Sequence, residues 1–171
     1  MDEIKIIRSN RKSISIQIDE NCRIVVRAPR WCTKKTIDKF LIEKQDWIDK
    51  AIERQSKYAA RISELDDRRI KELKSYAGEY LSDKLEYYSA IMNVTYSGFK
   101  VTSAKKRFGS CNGKNSLCFS YILFLYPDEA IDYVIVHELA HIRYKNHQKE
   151  FYEFIKSVLP DYKEREKMLK N

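Results

Sequence analysis

The three histidines of this chain, His137, His141 and His147, fall within eleven residues, and the first two frame a glutamate in the run His137-Glu138-Leu139-Ala140-His141. Neutral imidazole nitrogens bind divalent cations, and a carboxylate beside them can take a proton from water. Residues four apart on a helix share a face, so His137 and His141 can offer two nitrogens to one ion. Glu138 is turned about 100° around the axis, close enough to act on a water at the ion without being a ligand. The ordinary alternative is a pair of surface or core histidines. The flanks argue against it: Val134, Ile135, Val136, Leu139, Ala140 and Ile142 are apolar. Such a helix is buried, and a buried imidazole pair needs polar partners, which a metal supplies.

The pattern is the H-E-x-x-H of zinc peptidases. His147 is the stronger candidate for a third ligand, because it follows the expected end of the helix and its spacing from His137 matches that of the metzincin ligands. The glycine those proteins carry after the second histidine is replaced by Tyr144, so the turn must be built differently. Glu150, Glu153 and Glu164 are the alternatives, since one zinc-peptidase class takes a glutamate from a later helix. In an unbroken helix His147 would lie about 9 Å beyond His141 along the axis, too far to share an ion. A break near Arg143 to Asn146 is therefore expected, with Asn146 as a left-handed C-cap.

Three imidazoles and one open position describe a catalytic rather than a structural zinc site. A single Zn2+ would lower the pKa of its water towards about 7 and polarise a scissile carbonyl. Glu138 would take the proton and later deliver it to the leaving amine. The expected reaction is peptide-bond hydrolysis without a covalent intermediate. No Ser-His-Asp or Cys-His arrangement competes, because every histidine is already assigned.

The elements that must position these residues follow from the pattern along the chain. Residues 4–28 alternate as strands around the turn Asp19-Glu20-Asn21, which gives an N-terminal hairpin ended by Pro29. Thr33 is an expected N-cap for an amphipathic helix over about 34–54, its aromatic residues, Trp47 among them, being core. A long helix is expected over about 65–92; residues 54–63 are a connector or a continuation. Val94–Tyr96, Phe99–Ser103 and Ser116–Tyr121 read as strands, and Lys105–Asn115 as a loop. Pro127 suits the first position of the motif helix, with Asp128 and Glu129 favouring its positive end. Phe151, Phe154, Ile155, Val158 and Leu159 form the apolar stripe of a helix ended by Pro160, and Asp161 with Glu164 is a candidate cap for a last short helix. The expected organisation is a hairpin-and-helix region over 1–62 and a catalytic core over 63–171, unless the two form one compact unit.

With 171 residues, 43% of them hydrophobic and 34% charged, the chain suits a soluble globular protein. No apolar run approaches the roughly 18 residues of a membrane span. The start Met1-Asp2-Glu3 lacks a signal-peptide pattern, so the expected compartment is the cytoplasm, and the four cysteines are expected as free thiols. The net charge is +8. The segment Lys100–Lys114 carries Lys100, Lys105, Lys106, Arg107 and Lys114, and no acidic residue occurs from Phe99 to Tyr126. That segment could steer a nucleic acid or a nucleotide phosphate towards the site.

Together, Arg107-Phe108-Gly109-Ser110-Cys111, the strand to Tyr121, the run from Ile131 to His141, and Asn146-His147 followed by Phe151 resemble the YgjP-like (DUF45) metallopeptidase family, related to the M48 and SprT-like zincins. Arg27-Ala28-Pro29 and the helix with Trp47 are similar as well, so the resemblance covers nearly the whole chain; Phe108 stands where the family usually has tryptophan. The resemblance implies an α+β fold: a zincin-like core of helices and a small antiparallel sheet, with the N-terminal hairpin and long helices. It implies His137, His141 and His147 as ligands, Glu138 as general base and Arg107 to Cys111 as a signature loop. That loop is either structural or substrate-binding. Arg107, Ser110 and Tyr144 are the candidate substrate contacts, Arg107 for a carboxylate or phosphate. The strand from Ser116 could pair with an extended peptide. Beside a peptidase, a nucleotide phosphohydrolase of pyrophosphatase type, a SprT-like protease acting near DNA, or a non-catalytic nucleic-acid module with a structural metal would use the same residues.

Overall fold

A computed structural model describes residues 4–170; the start Met1-Asp2-Glu3, on which the expected compartment rests, lies outside them. The chain divides into two compact units, residues 1–64 and 65–171. No helix among the described residues is long and apolar enough to cross a membrane.

The first unit holds β1 (Lys5–Ser9), β2 (Ser15–Ile18), β3 (Ile24–Pro29), α1 (Lys34–Glu43) and α2 (Gln45–Ser63). The expected hairpin is β2–β3, antiparallel, with Ile16 opposite Val26. Its turn is tied by the Asp19 carboxylate, which accepts from the Asn21 and Arg23 N–H groups at 2.9 Å. β1 adds in parallel to β3. Val26, Ala28, Cys32 and Ile37 form a small core. Thr33 caps α1 as expected, its hydroxyl accepting from the Thr36 N–H. The expected single helix to residue 54 is two: it breaks at Lys44, and α2 continues through 54–63 to Ser63. Trp47 is 45% exposed and not a core residue; Ile48 fills that role.

The second unit holds α3 (Asp67–Met92), β4 (Gly98–Thr102), β5 (Gly109–Cys111), β6 (Ser116–Ser120), a 3-10 turn (Tyr121–Leu125), α4 (Asp128–Arg143), α5 (Lys149–Val158) and α6 (Tyr162–Met168). Asp66 caps α3 by accepting from the Arg69 N–H at 2.7 Å, and Asn93 ends it in the left-handed region, φ 48°. The segment Val94–Tyr96, expected as a strand, is irregular because the chain is still leaving that cap. The sheet has the order β4-β6-β5. It is mixed rather than antiparallel: β6 folds back from β5 and inserts beside β4, to which it runs parallel. Since both edges of β6 are paired, the strand from Ser116 cannot accept an extended peptide; β5 carries an outer edge instead. The long expected loop contains β5 because Asn112 to Asn115 turn the chain tightly, with Asn115 at φ 58°.

Helix α4 is buried along Ala130–Val136 and again at Leu139 and Ala140. It packs against α3, β5, α5 and α6. Leu81 and Leu85 of α3, Leu117 and Phe119 of β6, Ile135 and Leu139 of α4, and Phe151 and Ile155 of α5 are fully buried. Each such side chain contributes about 1.5–3 kcal/mol of burial. The helix with the histidines is thus held on several sides, as an α+β fold requires.

Candidate metal centre

His137 and His141 stand one turn apart on α4. The helix ends at Arg143, within the expected range, but the C-cap is Tyr144 with an extended backbone (φ −120°, ψ 106°), not a left-handed Asn146. An extended residue turns its carbonyl out of the helical ladder. The Tyr144 N–H still reaches the Ala140 carbonyl at 2.9 Å, while its own carbonyl accepts from His141 Nδ1 at 3.0 Å. A carbonyl only accepts, so the proton is on Nδ1 and Nε2 presents a lone pair.

The chain then returns His147 to the other two histidines, just before α5. His147 Nε2 lies 3.2 Å from His137 Nε2. One nitrogen from each of His137, His141 and His147 lies within 4.8 Å of the others. Two nitrogens about 2.0–2.1 Å from one tetrahedral ion stand about 3.3 Å apart; the His137–His147 pair matches that spacing, and the three together could hold one metal ion. Among the described residues no such group includes Glu150, Glu153 or Glu164. Glu153 pairs with Lys149 on the exposed side of α5.

Phe151, fully buried, floors the cluster with its ring centroid 5.0, 4.7 and 4.8 Å from His137, His141 and His147. Its place in the α5 stripe identified it as core; its role beneath the imidazoles comes from the return of the chain. Tyr133, one turn before His137, sets its ring edge-on to that imidazole, with its hydroxyl 3.5 Å from Nδ1. The i, i+4 spacing could have found it. Burial first, then the nearby His141 and His147, push the His137 pKa down to about 3. Burial also lowers that of His141, against the Tyr144 carbonyl, which raises it. Both imidazoles are neutral at pH 7, the form that binds metal.

Glu138 is 6% exposed. Burial pushes its carboxyl up to about 7, opposed by the charge of Arg107 and by the Cys111 N–H, which donates to it. The carboxylate lies flat against Gly109: a Cβ there would meet Glu138 Cγ at 2.6 Å and Oε1 at 2.7 Å. Any side chain at position 109 would displace Glu138. The signature run thus has a structural reason, with Gly109 making room for Glu138 and Cys111 supplying an N–H. A glycine in a loop gives no sequence signal for this. Arg107 is exposed, Ser110 half-buried, and the Tyr144 ring packs edge-on to Phe154 at 5.7 Å. The Cys111 thiol is half-buried and raised in pKa by desolvation.

The YgjP-like metallopeptidase-domain model matches residues 12–70 and 63–171. No curated protein matches the chain. Among solved structures, the metallopeptidase zymogen abylysin of Pyrococcus abyssi is similar at 22% identity and a TM-score of 0.47, over 51% of this chain and 89% of that one. With its family model matched along nearly its whole length, the chain belongs to the YgjP-like family of metallopeptidase domains.

Proposed function

We propose that this metallopeptidase-family protein is a zinc peptidase in which His137, His141 and His147 hold one ion and Glu138 is the general base. The carrying observation is the convergence of three imidazole nitrogens within 4.8 Å. A bound zinc ion supplies Lewis acidity, which acidifies water and polarises a carbonyl. The chain's own residues do the rest. The Tyr144 carbonyl holds His141 in the Nδ1–H tautomer, leaving Nε2 for the ion. Tyr144 acts through this backbone atom, its ring being engaged with Phe154. Tyr133 orients His137. The Cys111 N–H and the bare face of Gly109 hold the Glu138 carboxylate. A carboxyl near pH 7 can both take a proton from water and return one to a leaving amine.

The outer edge of β5 is the place for an extended substrate. The Phe108 carbonyl accepts from the Ser120 N–H, and the Asn112 N–H donates to the Ser116 carbonyl. By the alternation of an antiparallel ladder, Gly109 and Cys111 point their backbone groups outward. The Cys111 N–H goes to Glu138, which leaves the Gly109 N–H and the Gly109 and Cys111 carbonyls for a peptide.

The test is cleavage of unfolded proteins and of nucleoside triphosphates by zinc-loaded protein, with Glu138→Gln as the blank. Peptide products absent from the blank support the assignment. Release of phosphate or pyrophosphate with no peptide product would overturn it in favour of a nucleotide hydrolase.

A further inference from the structure

The face of the second sheet that α4 does not cover carries a groove of about 230 Å3. Its position follows from register. Lys100 pairs with Cys118 and Cys118 with Ser110, so these three side chains form one row across the sheet; Thr102 and Ser120 form the next. All five line the groove, and Arg107 closes it at the start of β5. The alternate residues face the other way. Leu117 and Phe119 are buried, and a Cβ on Gly109 would point at Glu138.

The lining is electrostatically one-sided. It contains two cationic side chains, Lys100 and Arg107, and no carboxylate. Both cations are exposed, and among the described residues neither makes a side-chain hydrogen bond or an ion pair, the Arg107 charge acting only at a distance on Glu138. The Thr102 and Ser120 hydroxyls donate to the Phe119 and Ala104 carbonyls, which leaves the Ser110 hydroxyl for a ligand. A concave, partly polar site with two exposed cations and no carboxylate in its lining selects a negative group.

Strand geometry says which group. Side chains alternate between faces, so a peptide paired with the outer edge of β5 directs every second side chain to the Ser110 face. The side chain opposite Ser110 lies at the mouth of the groove. We propose that the groove is a substrate subsite that takes an acidic side chain from the residue opposite Ser110, with Arg107 as its nearer contact and Lys100 as its far wall. This rests on the peptidase assignment and on β5 as the docking edge.

The experiment uses peptide sets that differ only in Glu, Gln or Lys at one scanned position. Values of kcat and KM are measured for zinc-loaded wild type, Arg107→Gln, Lys100→Gln and Lys100→Glu. The same fluorescent peptides are titrated onto Glu138→Gln protein at low and high salt. At one position Glu is favoured over Gln by about five- to tenfold, mostly in KM, and the preference shrinks at high salt. Lys100→Gln and Arg107→Gln each reduce it, and Lys100→Glu moves it towards Lys. Equal handling of Glu and Gln at every position overturns the subsite, as does a Glu preference that survives all three substitutions. If no peptide is cleaved, the peptidase assignment fails, and the binding arm decides the groove alone. Glu-selective binding that Lys100→Glu abolishes supports it, and charge-blind binding overturns it.

Discussion

Helix α4 buries two carboxylates within seven residues, and they are treated in opposite ways. Asp132, 8% exposed, is surrounded by donors. Lys84 Nζ lies 2.9 Å from Oδ1, and the Tyr88 hydroxyl donates to Oδ2 at 2.8 Å. The Tyr80 hydroxyl and Arg165 stand farther off, at 3.5 and 3.9 Å. These partners tie α3 and α6 to α4. Glu138 is buried as deeply but has one N–H, from Cys111, and a glycine to lie against. Beside it, the Nε2 atoms of His137 and His147 converge to 3.2 Å with no carboxylate between them. A buried charge whose partners are all in the fold holds the fold together. A buried charge with too few partners is one the fold holds ready for something else.

Several changes would break or sharpen this contrast. The largest effect is on turnover. Glu138→Gln keeps the metal and lowers kcat by about 10²–10⁴-fold, whereas His141→Ala loses zinc by elemental analysis and activity with it. Asp132→Asn leaves kcat per folded molecule nearly unchanged; a comparable loss would erase the distinction between the two carboxylates. Next is Gly109→Ala, whose Cβ would sit 2.6 Å from Glu138 Cγ. With zinc content retained, kcat should fall by about 10–100-fold, since small misplacements of a reacting group are costly.

Stability should separate the carboxylates by sign. Asp132→Asn weakens acceptance from Lys84 and Tyr88 and costs about 2 kcal/mol in urea denaturation. Glu138 has its folded pKa raised from 4.5 to about 7, so its contribution is full below pH 4.5 and is lost as pH rises through 7. In the metal-stripped protein at pH 8, Glu138→Gln should therefore be stabilising, by about 2–3 kcal/mol, and near neutral at pH 4. His137 works the other way. Its folded pKa of about 3 lies below the ordinary 6.5, so its contribution is present above pH 6.5 and is lost as pH falls towards 3. Stripped protein should show a declining urea midpoint over that range, and His137→Phe should flatten the decline. The smallest effect is at Tyr144. Its carbonyl, not its ring, holds His141, so Tyr144→Phe should keep kcat/KM within about twofold; a larger loss would mean that the hydroxyl touches substrate.

Much of the centre was legible in the sequence because it is local. The i, i+4 spacing put His137 and His141 on one face, and helical rise alone demanded a break before His147. The manner of the break was not legible. Asn146 has the better propensity for a left-handed cap, yet Tyr144 ends the helix in extended form. That conformation places its carbonyl on His141, a contact no propensity scale weighs. The short strand Gly109–Cys111 has no sequence signal, since three residues with a glycine carry no period; pairing with β6 makes it a strand. Periodicity alone assigns Trp47 to a core, but its neighbour Ile48 is the buried residue.

Sequence alone determined which side chains can hold an ion and which carboxylate stands beside them, because covalent spacing and helix geometry suffice for that. Tertiary structure decided what surrounds them. The floor under the imidazoles, the glycine that admits Glu138, the strand edge left open and the face that carries Arg107 with Lys100 all depend on strand register and on packing between separate elements. Those relations come from the chain meeting itself at a distance, where no local pattern records them.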